Sequence, residues 1–228
     1  MEELKLNTNT NFIKLIAIIT MTIDHIGYVF FPDILIFRII GRIAFPLFVY
    51  SMMIGYFRTK DLSKYIVRLL IIGIISQIPY SLLFNVDRPN VMFTLIFTLL
   101  YYYTLDKKKW WIMPILVLIP FALNFEYSLI YLFLVPIFYY FRNNGLLLSI
   151  SFILFYLNYL IYPVDSFSIA TFFTILCLPF ILIKTDVNIK INKYFFYLYY
   201  PIHIIILLIV KYLLQAFYLF IYYVIYTT

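Results

Sequence analysis

The feature that most restricts this chain is the length of its apolar runs. Stretches close to twenty residues long, such as "IVRLLIIGIISQIPYSLLF" at 66–84, recur from end to end of its 228 residues. About 20 consecutive apolar residues are what one helix needs to cross a bilayer. The chain is 65% hydrophobic and 12% charged, against about 45–50% and 25% in a soluble domain. One globular core could not hide that excess, so the chain is an integral membrane protein. Tyrosine, phenylalanine and isoleucine abound, which raises the question of an outer-membrane barrel. Barrel strands alternate apolar and polar residues in segments of about 10, and these runs do not alternate. The fold class expected is all-α, a polytopic transmembrane bundle.

Charge, proline and asparagine divide the runs into nine expected helices, at 12–31, 35–57, 64–84, 90–105, 110–123, 127–141, 145–162, 167–183 and 195–222. The fifth and sixth, around "NFEYS", are short enough to form a re-entrant pair. The last is too long for one upright span. Alternate loops differ in charge. One set carries Arg58, Lys60, Lys64, Arg68, Lys107, Lys108, Lys109, Arg142, Lys184, Lys190 and Lys193; the other carries Asp33, Asp87 with Arg88, Glu126 and Asp165. Basic loops stay inside, which puts the N-terminus in the cytoplasm of a cell with a bacterial-type cytoplasmic membrane. The net charge of +7 is therefore a topology signal, not a nucleic-acid surface. No repeat, linker or soluble domain interrupts the pattern, so residues 1–228 read as one multi-pass membrane domain, compatible with an oligomer. The first run lacks a small-residue cleavage site and reads as a retained helix. Cys177 stands alone inside an apolar run and has no disulfide partner.

Against this background the polar residues inside the spans stand out: Asp24, His25, Arg38, Arg42, Gln77, His203 and Lys211, with Lys14 near the inner end of the first helix. A charge at mid-helix costs about 2.5–3.5 kcal/mol on insertion scales, so such residues face a bundle interior and mark function by default. At 1.5 Å per residue, His25, Arg42 and Gln77 fall in one stratum about 20 Å from the inner face, with His203 somewhat deeper towards the cytoplasm. Lys14 and His25, eleven residues apart, lie within about 20° on one helix face. Arg38 and Arg42 share a face of the second helix. Asp24 is rotated about 100° from His25, so an arginine of the second helix is its expected partner. Soluble-enzyme signatures such as G-x-S-x-G, H-E-x-x-H, C-x-x-C and the P-loop are absent from the sequence. Two histidines alone argue for no metal site.

"KLIAIITMTIDHIGYVFFPD", "LIFRIIGRIAFPLFVYSMMIGYFRT", "YIVRLLIIGIISQIPYSLLF", "NVMFTLIF" and "YLYYPIHIIIL" together resemble the TraX family, polytopic membrane proteins named for acetylation of conjugative pilin. The resemblance is dense over 12–105 and returns near 194–208. It implies kinship with the wider transmembrane acyltransferase superfamily, which uses cytoplasmic acyl-CoA. That superfamily shows a basic residue, ten intervening residues and a catalytic histidine, the spacing of Lys14 and His25. The implied activity is acetyl transfer from acetyl-CoA, a co-substrate and not a bound cofactor, to an envelope peptide amine or glycan hydroxyl. His25 with Asp24 would form the catalytic pair. Lys14, Arg38, Arg42, Gln77 and His203 would support it, and Arg58, Lys60, Lys64 and Arg68 would hold the CoA phosphates. Where the family is expected to read nearer "SEIPFD", this chain has "SQIPYS", with Gln77 and Ser81 in place of acids. The competing reading, from a different class, is a small proton-coupled permease with an Asp24–His25–Arg42 relay.

Overall fold

The chain is a bundle of antiparallel helices in a computed structural model, which describes residues 6–163 and 166–227. The helices are α1 (Thr10–Phe30), α2 (Leu35–Gly41), α3 (Ala44–Arg58), α4 (Leu62–Phe84), α5 (Val91–Lys107), α6 (Met113–Ala122), α7 (Ile130–Phe141), α8 (Gly145–Ile161), α9 (Ser166–Phe172), α10 (Leu178–Leu182) and α11 (Lys193–Thr227). Two 3₁₀ turns, Trp110–Ile112 and Phe173–Cys177, lead into α6 and join α9 to α10. Joined across their breaks, α2 with α3 and α9 with α10 make nine helical segments, and no strand occurs among the described residues. Four of the segments, Thr10–Phe30, Leu35–Arg58, Leu62–Phe84 and Tyr194–Ile225, are long and apolar enough to cross a membrane. The expected segments coincide with the observed ones to within about three residues, apart from the last, which runs on to Thr227 where 222 was expected. The charged loop residue Asp165 lies outside the described residues.

The break between α2 and α3 has a local cause. Pro46 sits in the first turn of α3 and has no N–H to give, and its ring crowds the carbonyl four residues back, that of Arg42. The helix stops at Gly41 and restarts at Ala44, with Arg42 capping α2 in helical conformation, its N–H on the Arg38 carbonyl. Elsewhere, side-chain caps set the boundaries. Asn9, Asp61, Asn90 and Asn144 each accept a backbone N–H from the first turn of α1, α4, α5 and α8. At the α4 cap the Lys64 N–H donates to Asp61 and holds that carboxyl below its usual range.

One contiguous apolar core runs through the bundle, with Ile13, Ala17, Leu47, Tyr50, Met53, Leu99, Tyr102, Leu134, Phe138 and Ile204 fully buried or nearly so. α6 and α7 hold ten and twelve residues, about 15 and 18 Å of helix, too short to cross a bilayer of about 30 Å. The loop that joins them therefore stops at bundle depth. There the Thr94 hydroxyl, one turn into α5, donates to the Glu126 carbonyl at 2.7 Å. At the far end of α4, Lys211 of α11 donates to the Leu83 carbonyl at 2.8 Å, a cation placed on a helix C-terminus.

A polar cavity between α1, α2, α3 and the α6–α7 loop

Two glycines bring the site's first two helices together. A Cβ on Gly27 of α1 would lie 2.1 Å from Cβ of Phe37, and one on Gly41 of α2 would lie 2.1 Å from Oδ1 of Asp24. Each helix thus presents a glycine to the other, and backbones approach as small-residue interfaces in membranes allow. The close approach sets Asp24, buried on α1, against the arginines of the second segment. Arg38 Nη1 lies 3.0 Å from Asp24 Oδ1, and Arg42 Nη2 bridges both carboxylate oxygens at 3.2 and 3.1 Å. Tyr28 lies 5.1 Å from the Arg38 guanidinium and Tyr127 lies 5.8 Å from that of Arg42.

His25, one residue on, faces α11. Its Nδ1 lies 2.9 Å from Nε2 of His203, and the two rings are within 13° of coplanar, as an in-plane bond requires. The other nitrogen of His203, Nδ1, lies 2.9 Å from the Tyr199 carbonyl. A carbonyl only accepts, so Nδ1 of His203 carries the hydrogen, and in neutral His203 Nε2 is the acceptor. Nδ1 of His25 must then donate, and Nε2 of neutral His25 is left with its lone pair. No described residue bonds that nitrogen. The same logic fixes a second link between these helices. Thr22 donates to Ile18, so Tyr199 donates its hydroxyl hydrogen to Thr22, at 2.7 Å.

His25, Asp24, Arg38 and Arg42 line a cavity of about 730 Å³, together with Arg88, Glu126 and Tyr127. The last three come from loops. Arg88 Nη2 lies 3.1 Å from Glu126 Oε1, and Tyr127 stacks on Phe45 with ring centroids 4.0 Å apart. Tyr127 holds a φ of 57° and Asn124 one of 51°. The left-handed region costs a bulky residue roughly 1–2 kcal/mol, and such strain gathers at sites where a side chain must be aimed. Glu126 and Tyr127 escaped the sequence reading because Glu126 counted as an ordinary loop charge. The signal available was an acid flanked by aromatics in a loop between two helices too short to reach the surface.

The remaining candidates lie outside the cavity. Gln77 accepts from the Asn90 backbone and side chain and donates to the Arg88 carbonyl and to Ser81, so it organises the α4–α5 loop that carries Arg88. Lys14 points to α11 as His25 does, but its Nζ lies over the Phe196 ring at 5.4 Å. The four proposed phosphate ligands do not converge. Lys60 is exposed, Lys64 pairs with Asp61 at 3.3 Å, and Arg68 lies over Tyr65 and Tyr197. Arg58 donates to the Thr8 carbonyl at 3.2 Å, in a separate cleft at the basic end.

The paired glycines, the Asp24 cluster and the α11 histidine fall within the reach of one family. A family model described as TraX protein matches residues 9–211. The chain belongs to the TraX family. Within the relatives of this TraX-family protein, an uncharacterized protein of Rickettsia prowazekii (strain Madrid E) is 41% identical over 75 residues, 33% of this chain and 28% of that protein. A probable fimbrial assembly protein FimC, serogroup H1, of Dichelobacter nodosus is 35% identical over 104 residues, 39% of this chain and 43% of that protein. The chain thus spans less than half the length of either curated relative it matches. No solved structure matches it.

Proposed function

We propose that this TraX-family membrane protein is an acyltransferase that moves an acetyl group from acetyl-CoA to an amine or hydroxyl acceptor of the cell envelope, within a bacterial cytoplasmic membrane. The observation that carries the reading is the bond of His25 Nδ1 to His203 Nε2, whose other nitrogen meets the Tyr199 carbonyl: it leaves the Nε2 lone pair unused on an imidazole that lines a cavity with Arg38 and Arg42. Nε2 takes the proton of the acceptor O–H or N–H as that atom attacks the thioester carbonyl. Arg42 and Arg38 are placed to stabilise the oxyanion of the tetrahedral intermediate, where paired charges in a water-poor cavity are most effective. Collapse breaks the C–S bond, and the proton held on Nε2 passes to the departing thiolate. His203 touches no reacting atom and acts as a positioning residue. The name of the Dichelobacter relative, a fimbrial assembly protein, supports an envelope peptide as acceptor.

The permease reading needs a continuous Asp24–His25–Arg42 relay. The Asp24–Arg42 link is present, but against the relay the bond of His25 goes to His203 of α11 instead of to either of them. The test is transfer of radiolabelled acetyl from acetyl-CoA to envelope material by the purified protein. His25→Ala is expected to lower the rate by about 100- to 10,000-fold while unfolding like wild type. A folded His25→Ala protein that transfers at the wild-type rate ends the assignment, and substrate uptake into proteoliposomes without transfer favours the permease.

A further inference from the structure

The second hollow lies at the opposite end of the bundle, a cleft of about 1130 Å³ where α1 begins and α3 ends. Its cations come from three distant points of the chain, Arg58, Arg142 and Lys184, against one lining carboxylate, Asp186. One wall is the extended segment after α10, and the chain fixes that segment with unusual thoroughness. Asn9 and Asn11 donate side-chain amides to its Val187 and Ile189 carbonyls at 2.8 Å, and Asn7 donates at 2.8 Å to the Phe180 carbonyl of α10 just before it. The alternation of asparagine in "NTNTN" (7–11) is therefore a ladder that pins one loop to another. Arg142 is held in turn, its guanidinium 5.3 Å from the Phe57 ring and 5.0 Å from that of Tyr139. The same cleft receives the N-terminus of α1, whose first turn contains no acidic residue.

We infer that this cleft binds the phosphoryl group of a larger molecule through Arg58, Arg142 and Lys184. Guanidinium forks match phosphate oxygens in pairs, and the asparagines fix the segment that carries Lys184 along the same cleft. A single inorganic phosphate would leave most of the volume empty, so the phosphate belongs to a bulkier body. Two sources carry this chemistry, the nucleotide phosphates of a soluble donor and the headgroup of an anionic lipid. The site does not depend on the acyl-transfer reading, because binding is measured with neither acceptor nor turnover. Failure of the site leaves the role of His25 standing, and failure of His25 as a base leaves the site standing.

The full chain in phosphatidylcholine nanodiscs is titrated with adenosine 3′,5′-bisphosphate, and in a second arm its retention of phosphatidylglycerol is read by native mass spectrometry. Removing one charged partner should weaken the bound probe about tenfold. Arg58→Gln and Lys184→Gln should each do so and combine to about a hundredfold, while Lys64→Gln, outside the cleft, leaves binding unchanged. Lys184 is exposed on its loop, so its variant keeps the test open if Arg58→Gln does not fold. Weakening in one arm alone upholds the site and names its source; weakening in both upholds it for both. Wild-type affinity in the double variant, or no binding of either probe to the wild type, overturns it.

Discussion

The two hollows treat charge in opposite ways. In the cavity, Asp24 and Arg42 are 6% and 5% exposed and locked together, with Arg38 alongside. In the cleft, Arg58 and Lys184 are exposed and form no ion pair with Asp186 among the described residues. Burial explains the contrast. A charge out of water must be compensated inside the protein, whereas one at the surface is served by solvent and stays available to an incoming ligand. The cavity is built to be stable when empty, and the cleft is built to accept a counter-charge.

That contrast breaks if the buried cluster proves dispensable. Asp24→Ala removes the carboxylate that two interior guanidiniums share, at an expected cost of about 3–5 kcal/mol. A thermal unfolding scan in detergent checks it, and an unchanged midpoint would mean that the cluster holds nothing together. Gly41→Ala attacks the same cluster through shape instead of charge. Its Cβ would lie 2.1 Å from Asp24, and overpacking of this kind costs about 1–3 kcal/mol; equal stability of the alanine variant would show that α1 and α2 are free to move apart.

His203→Ala should slow acetyl transfer by about 10- to 100-fold through loss of orientation, without displacing donor binding. His203→Gln, whose amide oxygen can still accept from Nδ1 of His25, should recover part of the rate. No difference between the two variants would reduce His203 to packing. At the basic end, Lys64→Gln should leave the unfolding midpoint where it was, since its pair with Asp61 is exposed. A measurable drop there would blur the line between the two regions.

Much of this was legible in the sequence because membrane helices announce themselves by run length and by the charge of the loops between them. The Asp24–arginine pairing followed from phase counting, since 100° of rotation necessarily separates neighbours on a helix. What stayed hidden was set by long-range geometry. Counting residues from each helix end ignores tilt, and so placed His203 below His25 when the two rings touch. It also gathered Arg58, Lys60, Lys64 and Arg68 by proximity in sequence, whereas the fold sends Arg68 to Tyr197 and groups Arg58 with Arg142 and Lys184. The reach of Gln77 toward the α4–α5 loop is invisible to depth alone. Glu126 was read as a loop charge although the shortness of the two helices around it already pointed to a re-entrant loop; what the sequence did not show is that this loop meets Arg88 and the Asp24 cluster.

The partner of His25 has a consequence of its own. A carboxylate would hold the imidazole in the same tautomer, but it would bring a full negative charge into the hydrocarbon layer. A second imidazole does the aiming and adds no charge. The device is electrically silent: it attracts no stray cation, leaves the neighbouring arginine–aspartate cluster undisturbed, and is indifferent to the salt and lipid charge that screen or strengthen ion pairs. What it depends on is distance. The pairing of His25 with His203 therefore reports on how closely α11 is seated against α1, and on little else.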